Sequence, residues 1–298
     1  ARHPRAYQCQ YRSAEGGRVR NPYLITGPAQ ISFSGGRSSA YMLAKIVEAH
    51  GGTLPDDVHV CFANTGKERE ETLRFVHECA TRFGVRVRWL EFITDLRRPG
   101  AAARFEEVGY NSASRNGEPL DRLVARKKAL FSTVSGRWCT QMCKVGVMHD
   151  FMETQGYKLG EFTEVIGFRA DERDRVHELP RSPRNLKRKF AFPMAEAEIR
   201  KSNVNAFWAV QPFDLMIPKG TGNCDHCPFL SDKARIARAR INPEGLDWWD
   251  EREVERNFSF GYMSVAKIRA HISSSPLLAL DDVEADAADS ECGAWCAS

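Results

Sequence analysis

Two adjacent glycines, Gly35 and Gly36, lie between a short apolar segment, residues 30–34, and an amphipathic segment, residues 38–50. The first segment predicts a buried strand and the second predicts a helix with one apolar face. Glycines at such a junction let the backbone approach an anion, and the start of a helix offers free N–H groups and a positive dipole end. The pattern therefore predicts a phosphate-binding loop with the candidate ligands Ser34, Gly35, Gly36, Arg37, Ser38 and Ser39.

Polar residues also follow two other segments that are predicted to be strands, residues 58–63 and 163–168. In a parallel sheet the ligand lies at the carboxyl ends of the strands. The polar residues that follow these two segments would therefore come together there. Carboxylates there can act as acids, bases or metal ligands, or can complement the dipole of a following helix, and the sequence leaves both roles open. The candidate catalytic carboxylates are Glu68, Asp171 and Glu172. The candidate phosphate ligands outside the loop are Asn64, Thr65, Gly66, Arg115, Lys144, Arg169 and Arg173.

Four of the nine cysteines have spacings typical of a metal site. Cys139 and Cys143 are four residues apart and would share one face of a helix. Cys224 and Cys227 form a Cys-x-x-Cys pair, as in metal knuckles. Four thiolates suit zinc or a [4Fe-4S] cluster, His226 could also serve a zinc site, and free buried thiols are the alternative.

Strands alternate with helices along most of the chain, which predicts an α/β fold with an open, mostly parallel sheet and helices on both faces. After about residue 215 the composition changes to Gly, Pro and Cys, followed by helical patterns near residues 234–240 and 248–255. We predict three regions: an N-terminal extension at 1–26, an α/β domain at 27–215 and a cysteine-containing C-terminal subdomain at 216–298.

Composition narrows the class of protein. The apolar fraction of 42% and the charged fraction of 28% are ordinary for a folded enzyme-type protein, and no apolar run is long enough to span a membrane. We therefore expect a cytoplasmic protein with no membrane partner. Basic residues cluster at 126–128 and 181–189, which indicates either a solvated surface or a phosphate-rich partner such as a nucleotide, DNA or RNA.

Several motifs in order along residues 30–250 resemble one family. The sequence of residues 32–40 is similar to the PP-loop of the adenine nucleotide alpha hydrolase superfamily, and residues 61–68 are similar to a motif of its phage and bacterial PAPS (phosphoadenosine-phosphosulfate) reductase-like group. Further matches to that group lie at residues 113–119, 137–140, 167–172, 211–215 and 222–227. The resemblance implies a PP-loop (HUP-like) fold that binds ATP or another adenine nucleotide.

The same resemblance implies roles for individual residues. Some reductases of this family hold a [4Fe-4S] cluster in a layout similar to the four cysteines. Glu291-Cys292-Gly293 looks like the reductase nucleophile motif, which makes Cys292 a candidate catalytic thiolate, although Trp295 stands where family members have His. ATP-cleaving members usually have Asp where Ser38 stands, which leaves a role for magnesium open.

Three functions fit these features. The first is a PP-loop enzyme that acts on a nucleotide or nucleic acid as a sulfonucleotide reductase or nucleotide alpha hydrolase. The second is a DNA-processing enzyme that grips a DNA phosphate or a modified base, such as a DNA glycosylase of phage defence with Asp171 activating water. The third is a non-catalytic nucleotide sensor.

Overall fold

A computed structural model of the chain describes residues 20–94, 104–217 and 222–274. Its centre is one six-stranded sheet in the order β4-β3-β2-β1-β5-β6. The pairing is parallel throughout, except that β3 and β4 are antiparallel. The predicted α/β fold with an open, mostly parallel sheet is thus confirmed. The strands are β1 Ala29–Ser32, β2 Val58–Asn64, β3 Val87–Ile93, β4 Arg104–Val108, β5 Thr163–Ile166 and β6 Lys189–Ala191.

Helices cover the two faces of the sheet. In chain order they are α1 Arg37–Ala49, α2 Glu70–Phe83, α3 Glu118–Lys127, α4 Trp138–Thr140, α5 Val147–Thr154, α6 Arg173–Arg181, α7 Pro193–Glu196, α8 Lys201–Ala209, α9 Asp232–Ile241, α10 Asp247–Arg256 and α11 Val265–Ser274. A π-helical segment, Gln141–Gly146, continues α4 into α5. No helix in the described ranges is both long and apolar enough to cross a membrane.

The two faces of the sheet have separate hydrophobic cores because successive side chains of a strand point in opposite directions. On β2, Val60 and Phe62 belong to the first core together with α1, α2 and α8. Cys61 and Ala63 belong to the second core together with α3 and α5. Continuous apolar strands of this kind are expected where both faces are covered.

The second core also holds residues from beyond position 230. Ala239, Trp249 and Ile268 pack in one cluster with Leu123 and Phe151. The helices α9 to α11, which fall in the predicted C-terminal subdomain, therefore cover the same side of the sheet as α3 and α5. Residues 1–19 of the predicted N-terminal extension lie outside the described residues, and Ile25 packs in the first core.

Candidate functional site

The loop between β1 and α1 requires glycine at its centre. Gly35 has φ +76°, and a Cβ there would lie 2.7 Å from Thr72 Cγ2 and 2.9 Å from Val76 Cγ2. Gly36 is the N-cap of α1, and no side chain caps the helix. The first-turn N–H groups of a helix have no intrahelical partners, so they remain for an anion.

The serines of the loop have different roles. Ser39 Oγ accepts a hydrogen bond from the Ser34 N–H at 3.2 Å and donates one to the Gly36 carbonyl at 3.0 Å. The hydroxyls of Ser34 and Ser39 are 3.0 Å apart. These contacts lie within the loop, so Ser39 holds its shape.

Ser38 instead connects the loop to a buried cation. Arg169 Nη1 donates to Ser38 Oγ at 2.8 Å, and the Arg169 residue is only 3% exposed. Arg169 follows β5, the neighbour of β1, and this brings two separate predicted ligand groups together. Two predicted ligands, Ser38 and Arg169, thus place a positive charge at the first turn of α1.

Arg37 has a different partner. Its Nε donates to Asp214 Oδ1 at 2.7 Å, and its Nη2 pairs with the other carboxylate oxygen. Trp208 Nε1 also donates to the Arg37 carbonyl at 3.0 Å. The guanidinium of this predicted phosphate ligand is therefore already paired with a carboxylate in the structure.

The turn after β2 is held by its own polar residues. Asn64 Nδ2 donates to Glu91 at 2.6 Å, and Asn64 Oδ1 accepts from the Gly66 N–H at 3.1 Å. The Thr65 N–H and hydroxyl both donate to Glu68, at 2.7 Å and 2.8–2.9 Å. A Cβ at Gly66 would lie 2.9 Å from the Gly117 nitrogen, so Gly66 also allows close packing of a second loop.

Glu68 is a buried member of a charged cluster. Its carboxylate lies 3.3 Å from Lys144 Nζ and accepts from Cys224 Sγ at 3.6 Å. Lys144 Nζ is also 3.7 Å from Cys224 Sγ. Because these partners and Thr65 surround it, Glu68 holds three segments together, and its oxygens are poorly placed to receive a proton from a ligand.

The two carboxylates after β5, Asp171 and Glu172, differ in their contacts and in their exposure to solvent. Glu172 accepts from the Arg169 N–H at 3.0 Å and pairs with Arg175, and its side chain is 14% exposed. Asp171 contacts Arg169 Nε at 3.2 Å, and its side chain is 33% exposed. Of the three predicted catalytic carboxylates, Asp171 has the greatest access to solvent.

The remaining predicted cations are Arg115 and Arg173. Arg115 Nε donates to Glu70 at 2.7 Å, and this hydrogen bond lowers the pKa of Glu70 and raises the pKa of Arg115. Arg173 is exposed at the start of α6, where it lines a cavity of about 510 Å³ together with His177.

None of the four predicted metal cysteines, Cys139, Cys143, Cys224 and Cys227, forms a disulfide bond. Burial, with the neighbouring charges of Cys139 and Glu68, raises the pKa of Cys143 well above its ordinary value. Cys224 reaches the same cluster through Glu68. In the described ranges, no group of three or more His, Cys, Asp or Glu residues is arranged to hold a metal ion. Lys144 and Glu68 both contact Cys224, so a metal ion bound there would have to displace them.

Sequence reasoning missed Asn223, which joins the Cys-x-x-Cys segment to the loop. Asn223 Nδ2 donates to the Ser34 carbonyl at 3.1 Å and would lie 3.1 Å from a Cβ at Gly36. The Asn223 carbonyl accepts from the Arg69 N–H at 3.0 Å. Asn223 directly precedes Cys224 of the Cys-x-x-Cys pair, and this position is the signal in the sequence that could have indicated its role. If the Cys-x-x-Cys segment packs on the phosphate loop, residues next to the cysteines must form the contacts.

Comparison with known proteins places the chain in a family. No family model matches it. Over 220 residues it is 31% identical to the uncharacterized nin region protein ORF290 of Escherichia phage lambda, which covers 72% of this chain and 70% of that protein. The chain belongs to the family of that phage protein. It is also 28% identical over 138 residues to the uncharacterized protein MJ0066 of Methanocaldococcus jannaschii, over 46% of this chain and 22% of that protein.

These relatives carry no assigned activity, so the roles of residues in this family must be argued from geometry. The described site offers an uncapped helix start, a buried arginine beside it and one partly exposed carboxylate, Asp171. Such a set can bind an anion and place a proton acceptor near it. Cys292, the predicted nucleophile, lies outside the described residues.

Proposed function

We propose that this protein is a PP-loop enzyme of the PAPS reductase-like group that binds the phosphate of an adenine nucleotide at residues 34–39. One observation carries the proposal: the uncapped start of the 13-residue helix α1 lies beside the buried Arg169, which reaches Ser38 at 2.8 Å. Free N–H groups and a guanidinium at one point are the two kinds of donor that phosphate-binding sites combine.

The neutral side chain at position 38 affects how the site would bind an anion. A carboxylate there would form an ion pair with Arg169 and cancel its charge. The Ser38 hydroxyl accepts a hydrogen bond from Arg169 and adds no negative charge to that of its carboxylate partners, Asp171 and Glu172. We therefore expect nucleotide affinity to change little when magnesium is removed.

Within this proposal the three carboxylates, Asp171, Glu68 and Glu172, have different roles. Asp171 acts on the ligand as acid or base because its side chain reaches solvent next to Arg169. Glu68 and Glu172 are positioning residues, since each is held by hydrogen bonds from backbone N–H groups and by nearby cations. Lys144 is likewise held by Glu68 and Cys224.

Calorimetric titration with ATP and with PAPS tests the binding step. We expect the wild-type protein to bind at least one of them, and Arg169→Gln to weaken binding by about tenfold, as expected for the loss of one charge-assisted hydrogen bond. Arg115→Ala is the matched control, because Arg115 is paired with Glu70 and should leave the affinity unchanged. Equal affinities of Arg169→Gln and wild type would contradict the proposal.

Product assays then distinguish the reactions that this site could support. A reductase releases sulfite from PAPS when a thiol donor is present, and an alpha hydrolase releases pyrophosphate or AMP from ATP. Abasic sites in modified phage DNA without added ATP would instead assign glycosylase chemistry, with Asp171→Asn as the inactive variant. Binding without turnover on any of these substrates would assign a sensor.

Metal analysis of anaerobically purified protein checks the cofactor prediction separately. About four irons per chain with absorbance near 400 nm would indicate a [4Fe-4S] centre, and about one zinc would indicate a thiolate site. Either result requires Lys144 to move away from Cys224. Loss of the metal in Cys224→Ser would assign it to these cysteines.

A further inference from the structure

A second cavity, of about 640 Å³, lies apart from the loop at residues 34–39. One wall is formed by residues 135–141 with Val145, and the opposite wall by the end of α6 and residues 182–188. None of its lining residues belongs to the phosphate loop, to the turn after β2 or to residues 169–173. Its volume falls within the range of about 300–1,000 Å³ for ligand pockets.

One wall follows the basic cluster at 126–128 in the chain, and the other contains Arg184 and Arg188 of the cluster at 181–189. Residues 126–141 include four basic residues and no acidic one, and residues 178–189 include five basic residues and one acidic residue, Glu178. Arg137 and Arg184 line the cavity from the two sides. Regions some 50 positions apart in the chain thus bring positive charge to one cavity.

The arginines that line the cavity differ in availability. Arg188 is already bound by Glu164 through two hydrogen bonds of 2.5–2.6 Å. The Arg137 guanidinium stacks over Phe229 at 4.5 Å, and within the described residues neither Arg137 nor Arg184 forms an ion pair. Arg137 and Arg184 therefore line the cavity without an ion-pair partner among the described residues, and the acidic residue of the lining is Glu178.

Trp138 adds an aromatic surface to the same wall. It lines the cavity, and Lys127 Nζ lies 5.2 Å from its ring centroid. An indole between cations is the combination on which unpaired bases stack while arginines contact the phosphates. Bases of a duplex are stacked on each other and cannot enter a walled cavity, so the chemistry favours a single strand.

The π-helical segment, residues 141–146, lies beside the cavity. Gln141 and Val145 of this segment line the cavity, whereas Lys144 points to Glu68 in the strand-end cluster. Single π turns within α-helices are frequent at functional sites. The segment therefore contacts both the cavity and the Glu68 cluster.

We propose that this cavity binds single-stranded nucleic acid, with Arg137 and Arg184 contacting phosphates and Trp138 stacking on a base. The proposal adds a second ligand to the nucleotide of the phosphate loop and does not depend on it. DNA and RNA share the chemistry involved, so both are tested.

Fluorescence anisotropy with labelled 20-nucleotide single-stranded DNA, single-stranded RNA and duplex DNA tests the proposal over a salt series. We expect one of the single strands to bind more tightly than the duplex. The double variant Arg137→Ala/Arg184→Ala should bind about tenfold more weakly at moderate salt. Its slope of log affinity against log salt should be shallower by about 1.4, because two phosphate contacts are lost.

The matched control is Lys233→Ala/Lys267→Ala, which removes the same charge from exposed positions on α9 and α11. It should retain the wild-type affinity and slope. Trp138→Leu should weaken binding without changing the slope, since stacking involves no counterion release.

Binding of the arginine variant with wild-type affinity and slope, equal loss in the control, or tighter binding of the duplex would each overturn the proposal. Nucleotide titration of the arginine variant should be unchanged, which separates this result from any failure of the phosphate loop.

Discussion

A buried arginine lies near each end of strand β5, and the two arginines have contrasting surroundings. At the start, Glu164 accepts both Arg188 Nε and Nη2 at 2.5–2.6 Å, and His149 lies 3.3 Å away. Beyond the end, Arg169 donates to the Ser38 hydroxyl and pairs with two carboxylates, those of Asp171 and Glu172. The first cluster is closed by two hydrogen bonds between one cation and one buried anion, whereas the second is spread over weaker and more exposed partners.

This difference separates stability from binding. Arg188 uses Nε and Nη2 for Glu164 and Nη1 for Asn185, so each of its side-chain nitrogens already has a partner. The pair also ties β6 to β5, because Glu164 lies in β5 and Arg188 directly precedes β6. At the other end of β5, the uncapped start of α1 leaves backbone N–H donors for a ligand. The sequence shows the charge of Arg188 and of Arg169, but charge alone does not distinguish the stabilising arginine from the one at the binding site.

The largest expected effect comes from breaking the closed pair. Glu164→Gln should lower the free energy of unfolding by about 3–5 kcal/mol, because it leaves Arg188 buried without a counter-charge. Urea unfolding measures this loss. Glu107→Gln, which breaks a pair with the more exposed Arg86 and Arg88, is the control and should cost less than about 1 kcal/mol. Similar losses in the two variants would remove the distinction between the clusters.

The next effect concerns the loop at the open end. Gly35→Ala should lower the free energy of unfolding by about 3 kcal/mol, since it combines a left-handed backbone with steric overlap against Thr72 and Val76. Gly84→Ala has a similar φ of +66° but no atom within 4 Å, so it should cost about 1 kcal/mol. Only Gly35→Ala should abolish nucleotide binding. Equal unfolding midpoints would show that the contacts around Gly35 are not tight.

Acid should weaken the closed cluster in a defined direction. Burial of Glu164 raises its pKa, but hydrogen bonds from Arg188 and His149 outweigh burial and hold the pKa below its ordinary value. A lowered pKa in the fold contributes stability above the ordinary value of 4.5, and this contribution is lost as the pH falls through the folded-state pKa. Urea unfolding between pH 7 and pH 3 should show a smaller acid-dependent loss in Glu164→Gln than in wild type. Parallel curves would contradict the assignment.

The smallest effect tests Arg37. Asp214→Asn removes the charge that holds Arg37 and should raise nucleotide affinity by about threefold, comparable to the small free energy of a partly exposed ion pair. Titration calorimetry measures this gain. An unchanged affinity would mean that Arg37 stays away from the ligand even when it is released.

Much of the fold could be predicted because its central strands and helices have strong periodic patterns. The predicted helix at residues 38–50 matches α1, and the predicted strand at 58–63 matches β2, each within one residue. The edge strands β4 and β6 were missed, since β4 has three charged residues in five and β6 has only three residues. Their strand character comes from pairing with a neighbour, which local sequence does not encode.

The candidate site was predicted less completely. The loop and Arg169 are adjacent to strand ends, which parallel topology brings together. The partners of Arg37 and Arg115 are set by Asp214 and Glu70, which are 177 and 45 positions away. Asn223 contacts Ser34 across 189 positions and escaped notice for the same reason. Residue type indicates what a side chain can bind, but only the tertiary fold determines which partner it meets.

The composition of the two cores has a consequence for synthesis on the ribosome. The described members of the first core lie between Tyr23 and Ile217, whereas the second core needs residues as far as Ile272. The side of the sheet that carries α1 and α2 can therefore assemble while the last helices are still in the exit tunnel. The opposite side, which carries the π-helical segment, must wait with Phe92, Leu123 and Phe151 incompletely covered, and this interval is when the nascent chain is most open to chaperones and to aggregation.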